Sequence, residues 1–153
     1  MMEGETMFVG KFNNSIDAKA RVIVPAKFRY ELGASCVIAK GLDKCLNVYT
    51  DDEWERFVKE KLEPLPESNP QARQLKRYFF SSASSCEIDK QGRVKIPQDL
   101  LNYAGIDKEL ITIGSNNKIE IWSREQWDVQ LDEESGELLN ASEVAEGLEQ
   151  YGF

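Results

Sequence analysis

Short stretches rich in β-branched and aromatic residues recur along the chain, and they recur in the same order twice. An entry strand is expected over Lys11–Ile16, with its counterpart over Ser84–Ile88. Exit strands follow at Arg21–Val24 and Arg93–Ile96. Entry and exit are separated by Ala18-Lys19-Ala20 in one case and Lys90-Gln91-Gly92 in the other, the length of a three-residue hairpin loop. Such a loop wants a left-handed residue last, and Gly92 stands there. Pro25 and Pro97 suit the first turns of short helices, Ala26–Leu32 and Gln98–Ala104. Gly33 and Gly105 are expected to end these helices in the left-handed conformation. A second hairpin comes next, Cys36–Ala39 with Leu46–Tyr49, matched by Leu110–Ile113 with Lys118–Trp122. Helices are expected from near Asp51 and Ser123, each with an acidic first turn. The proline-marked stretch Leu62–Pro70 reads as a linker, Gln71–Phe80 as a basic helix and Ala141–Gln150 as a last short helix.

This recurrence is an internal duplication. Ser15–Gly33 aligns with Glu87–Gly105 at an offset of 72, with Ile16/Ile88, Asp17/Asp89, Arg21/Arg93, Val22/Val94, Pro25/Pro97 and Gly33/Gly105 identical. One inserted residue later the match resumes at an offset of 73, where Ile38/Ile111, Gly41/Gly114 and Trp54/Trp127 are identical. The chain therefore divides into a first repeat at 7–55, a helix, linker and basic helix at 56–80, a second repeat at 81–127 and a tail at 128–153. A unit of this size buries little core alone, so the repeats should pack on one another or on other subunits.

Composition narrows the class. The 153 residues are 41% hydrophobic and 30% charged, an ordinary globular balance, and no apolar run is long enough to span a bilayer. The amino-terminal segment lacks the apolar core of a secretory signal. Cys36, Cys45 and Cys86 are an odd number with no CxxC spacing, which fits a reducing cytosol and neither a disulfide nor a zinc framework. There is no histidine, which removes Ser-His-Asp and Cys-His catalysis and His-ligated metals. Neither a metal nor a cofactor is expected.

The net charge of −8 is unevenly placed. The tail from Asp128 onward holds eight of the 27 acids and no base, so residues 1–127 balance 19 acids against 19 bases. Met7–Gly33 is locally basic (Lys11, Lys19, Arg21, Lys27, Arg29), and so is the helix with Arg73, Lys76 and Arg77. Patches of this kind can meet polyanions. On charge alone, a solvated mixed surface is the simpler reading, and the Arg73–Arg77 stripe reads as solvated or subunit-facing. Trp54 and Trp127 read as core anchors, Tyr78-Phe79-Phe80 as packing, and Cys36 and Cys45, at strand positions, as small buried hydrophobes.

The doubled D-x-x-x-R spacing carries the candidate chemistry. Asp17 can orient the guanidinium of Arg21, and Asp89 that of Arg93, at a strand-loop-strand tip. Taken alone, each pair is a salt bridge that fixes a turn. A two-stranded ribbon also fits the DNA major groove, where arginine reads guanine, so the two readings are compatible.

The pattern M-F-x-G, then D-A-K-A-R-V-x-V-P, then D-K-Q-G-R-V-x-I-P, with Trp54 and Trp127 closing the copies, resembles the MraZ family of bacterial transcriptional regulators over Met7–Trp127. That family belongs to the AbrB-like, swapped-hairpin DNA-binding folds. The resemblance implies an α+β chain of two tandem AbrB-like repeats with short helices, packed together. It implies a cytoplasmic, nucleoid-associated, ring-shaped homo-oligomer that binds double-stranded DNA at short direct repeats upstream of the cell-division and cell-wall gene cluster. The family's D-x-K-G-R signature falls on Asp17, Lys19 and Arg21, with Ala20 where glycine is usual; a left-handed alanine costs about 1 kcal/mol. The second signature falls on Asp89, Lys90, Gln91, Gly92 and Arg93. Arg21 is then the expected base reader, with Lys19 and Arg29 on phosphates. Lys90, Arg93 and Lys95 either do the same or contact subunits, and Asp17 and Asp89 orient the loops. The competing readings are an AbrB-like assembly or scaffold module with incidental DNA contact, and an enzyme built on paired carboxylates Asp17 and Asp89. The enzyme reading has no accompanying nucleophile, phosphate loop or metal constellation.

Overall fold

The computed structural model describes residues 6–130 and 141–152. Four acids of the tail, Asp132, Glu133, Glu134 and Glu137, lie outside the described residues, as does the stretch before Thr6. Strand β1 (Phe8–Ser15) puts Phe8 and Phe12 on one side, where both rings meet Phe28 of helix α1 (Ala26–Leu32) edge-on at 5.2 Å. Phe28 and Leu32, one turn apart, are the buried face of α1.

The expected local hairpins form only as turns. The amide of Ala20 donates to the Asp17 carbonyl and that of Asp17 to the Arg21 carbonyl, each at 3.0 Å. Beyond the turn the strands part. β1 runs antiparallel to β7 (Glu109–Asn116) of the second repeat, from Phe8 opposite Asn116 to Ser15 opposite Glu109. β5 (Ser84–Glu87) pairs in the same way with β3 (Ser35–Lys40) of the first. The short strands β2 (Arg21–Ile23) and β6 (Arg93–Lys95) pair with each other as a separate ribbon. Length explains the exchange: β7 offers β1 eight paired positions, whereas β2 has only three residues.

With β4 (Leu46–Thr50) and β8 (Lys118–Ser123), the large sheet has the order β1-β7-β8-β4-β3-β5. It is symmetric about the β8–β4 junction, so the two repeats are interleaved by a pseudo-two-fold axis. Val22 faces Val94 on that axis in the ribbon, and Asn47 faces Glu120 on it in the sheet.

Two expectations change. Cys36 stands opposite Thr50, and Leu110 opposite Ser123. The structural counterpart of Cys36 is therefore Leu110, an offset of 74, and that of Ile38 is Thr112. The sequence matches Ile38/Ile111 and Gly41/Gly114 are one residue out of structural step. Second, Gly105 ends helix α4 (Gln98–Ala104) in the left-handed conformation (φ 66°, ψ 29°), but Gly33 has φ 82° with an extended ψ of −150°.

The core lies between the ribbon, α1 and α4 on one side and one face of the sheet on the other. Val22, Val94, Ile96, Leu100, Ile38, Leu46 and Ile121 are among its buried members. A second, smaller cluster on the back of the sheet joins Cys45, Ile111 and Trp122 with Trp127 of helix α5 (Arg124–Gln130). All three cysteines are buried and free. Helix α2 (Asp51–Phe57) starts where Thr50 Oγ1 accepts from the Glu53 amide, and α3 (Pro70–Ser82) where Asn69 Oδ1 accepts from Gln71 and Ala72. A one-turn π-helix, Val58–Leu62, leads into the linker. Trp54 packs with Tyr49, Phe57 and Phe80. The basic stripe of α3 folds back on its own linker: Lys76 pairs with Glu67 at 2.7 Å, and Arg73 donates to the Glu67 carbonyl. The last described helix, α6, is Ala141–Gln150.

One clasp ties linker helix to both repeats. The hydroxyls of Tyr78 on α3 and Tyr103 on α4 lie 2.6 and 2.7 Å from the Gly41 carbonyl and 2.7 Å from each other, with Lys40 Nζ over both rings.

Candidate nucleic-acid interface

Each D-x-x-x-R turn is built by one carboxylate. Asp17 Oδ1 accepts from the backbone amides of Lys19 and Arg21, both at 2.9 Å, and Oδ2 accepts from Arg21 Nε at 2.7 Å. Asp89 repeats this with the amides of Gln91 (2.9 Å) and Arg93 (2.8 Å) and with Arg93 Nε at 2.8 Å. The backbone bond from the arginine amide is the main cause that holds each carboxyl below the ordinary value of 3.8, and the guanidinium adds to it. Both acids are therefore charged acceptors with their oxygens engaged, at opposite ends of the ribbon. This is not the arrangement of an acid–base pair.

The ribbon unites what the sequence presents as two separate tips. Val22 and Val94 point inward, so the alternate residues point out. On the outer face Arg21 is opposite Lys95, and Ile23 is opposite Arg93. Arg21, Arg93 and Lys95 line one open groove bordered by the edge strand β5. Both arginine side chains are 28% exposed. Asp17 and Asp89 engage Nε of their arginines, not the Nη groups. Lys19 and Lys90 are exposed in the two turns, at opposite ends of this face.

Arg29 is placed differently. Its Nε donates to the Val24 carbonyl at 2.9 Å, and its guanidinium lies across Gly92. A Cβ at Gly92, whose φ is +79°, would run into that guanidinium. Ala20, with φ 62°, is Gly92's counterpart, and position 101, the counterpart of Arg29, is a buried leucine. The Gly92/Ala20 difference thus follows a change of the side chain across the turn.

Sequence reasoning overlooked Ile23, which is 47% exposed on the same outer face, opposite Arg93. The signal was present in the parallel triplets R-V-I and R-V-K: a buried central valine puts both neighbours outside.

The same doubled pattern is matched by known proteins. The family model described as "MraZ protein, putative antitoxin-like" matches residues 7–78 and again 79–146. The chain is 49% identical over 147 residues to the Transcriptional regulator MraZ of Lachnoclostridium phytofermentans, covering 96% of this chain and 99% of that protein. It is 46% identical to the protein of that name in Clostridium tetani and 47% identical to the one in Clostridium acetobutylicum, with 96% of this chain and 100% of each relative covered.

Proposed function

Since the chain belongs to the MraZ family, we propose that it is a DNA-binding transcriptional regulator that recognises specific sequences through the β2–β6 ribbon. The observation that carries this reading is the joining of two Asp-steadied arginines, one from each repeat, on one exposed two-stranded face. A ribbon of this kind fits the major groove, and the free Nη pair of an arginine matches guanine O6 and N7. Each guanidinium is preoriented by its carboxylate, so less side-chain entropy is lost on contact. Lys19 and Lys90 reach toward phosphates at the two ends of the face, with Lys95 beside Arg21. A phosphate contact from Arg29 would come through its Nη groups, because Nε is held by Val24.

One ribbon makes few contacts, so a single site is bound modestly and with strong salt dependence. We further propose that the chain assembles into a ring. Several ribbons then engage short direct repeats together, and avidity supplies the remaining affinity. Rotation in one sense between neighbours suits direct rather than inverted repeats. The proposed target is the DNA upstream of the cell-division and cell-wall gene cluster, and the proposed place of action is the nucleoid.

The test is a gel shift with DNA from the region upstream of the chain's own gene, using the double variant Lys19→Glu, Arg21→Glu. Affinity should fall more than about 100-fold, on the scale of one base contact and one phosphate contact reversed. The elution volume of the assembly should stay where it is. Retention equal to the wild type would refute the interface. Binding insensitive to salt would favour the assembly-module reading instead.

A further inference from the structure

Resting on the ribbon as the DNA-reading face, we infer that Ile23 reads the 5-methyl group of a thymine, and that the Ile23/Lys95 difference gives the ribbon a direction along DNA. The outer face has four positions related in pairs by the pseudo-two-fold. Arg21 and Arg93 are one pair and are identical; Ile23 and Lys95 are the other and are not. The symmetric pair presents the same Asp-held guanidinium from both ends. The asymmetric pair presents an apolar side chain at one end and a cation at the other.

Ile23 is 47% exposed, directly opposite Arg93 and two residues from Arg21 on the same strand and face. The inward side of this strand is taken by Val22 and Val24, and Ile23, although it borders the small apolar void beneath the ribbon, keeps about half of its surface open on the outer face. In the major groove the only apolar group that a base pair offers is the thymine methyl, and an aliphatic side chain is its natural partner. An isoleucine set between two guanine-reading arginines therefore selects a thymine next to guanine on its own half of the footprint. Lys95 makes no such selection on the other half, where it meets an acceptor or a phosphate. The face then reads a sequence that differs from its own inverse.

The structure supplies the variants. Lysine already occupies the counterpart position in a strand of identical register, so Ile23→Lys turns the ribbon into R-V-K on both sides. Lys95→Ile turns it into R-V-I on both sides. Binding sites are selected from a pool of random 20-base-pair duplexes with the wild type and each variant. Each thymine of the wild-type consensus is then replaced singly by deoxyuridine, which removes only the methyl group, and affinity is read by fluorescence anisotropy at fixed salt. One thymine per ribbon footprint should lose about four-fold on replacement, the worth of one buried methyl. Ile23→Lys should abolish that loss and yield a two-fold symmetric consensus. Lys95→Ile should add a second methyl-sensitive thymine in the opposite half. Wild-type binding indifferent to every replacement, or an unchanged methyl-sensitive position in Ile23→Lys, would overturn the role of Ile23 and leave the DNA-reading face standing. Failure of the wild type to retain any duplex at low salt would overturn both.

Discussion

Arg29 of the first repeat lies across Gly92 of the second, its Nε bonded to the Val24 carbonyl while the Val24 amide donates to the Gly92 carbonyl at 2.8 Å. The second turn is thereby clamped by the other half of the molecule. A side chain at position 92 would combine a left-handed backbone with overpacking against the guanidinium. Gly92→Ala should cost about 2–4 kcal/mol, and Ala20→Gly, at the counterpart turn, less than about 1 kcal/mol. Urea unfolding midpoints compare the two directly. A Gly92→Ala protein as stable as the wild type would show that the clamp yields.

The carboxylates of Asp17 and Asp89 are held below their ordinary value, chiefly by the arginine amides. A lowered folded value means stability that is complete above the unfolded value, near 4, and lost as pH falls through the lower folded one. The double variant Asp17→Asn, Asp89→Asn should be less stable than the wild type at pH 7, with the gap closing below about pH 4. Thermal melts between pH 2 and 7 test this. A gap that persists undiminished at pH 2 would remove the ionised turns from its cause.

Thr112 Oγ1 is buried without a hydrogen-bond partner among the described residues, beside a small apolar void lined by Val22, Val94 and Ile121. Its counterpart in the first repeat is Ile38, which is fully buried. Thr112→Val keeps the shape and removes the orphan hydroxyl, and should stabilise the fold by about 1 kcal/mol. A loss of similar size in chemical denaturation would mean that the hydroxyl is satisfied in solution.

The Tyr78–Tyr103 clasp should be strongly non-additive. Two hydroxyl protons serve three contacts, so removing either hydroxyl leaves the other to donate to the Gly41 carbonyl. Tyr78→Phe and Tyr103→Phe alone should each cost roughly 0.5–1 kcal/mol. Together they strand a carbonyl at a buried residue and should exceed the sum of the singles by about 1 kcal/mol. Strict additivity in a double-mutant cycle would argue against the shared acceptor.

Most local structure was legible in the sequence, because the signals were local. Pro25 and Pro97, the D-x-x-x-R turns, Thr50 before three acids and the proline-rich linker all act within a few residues. Strand partnership was not legible: a three-residue strand such as β2 carries no mark of its partner, and the long pairing of β1 with β7 spans most of the chain. The one-residue slip at Ile38/Ile111 has a related cause. Cys36, Val37 and Ile38 are all buried, as are Leu110, Ile111 and Thr112, so either step of the alignment looks equally apolar. At the candidate interface, the arginines and their carboxylates were legible as repeated spacing. The outward placement of Ile23 could be read from the R-V-I triplet, but its pairing with Arg93 and the Arg29–Gly92 contact could not, because both depend on which residues the other repeat brings alongside.

The interleaving of the repeats has a genetic consequence. Two separate copies of a single repeat, wound together in this way, would have to carry the same residue at both mates of every symmetric pair. Encoding both halves in one reading frame lifts that constraint, so Ala20 can drift from Gly92 and Ile23 from Lys95 while the shared architecture is kept.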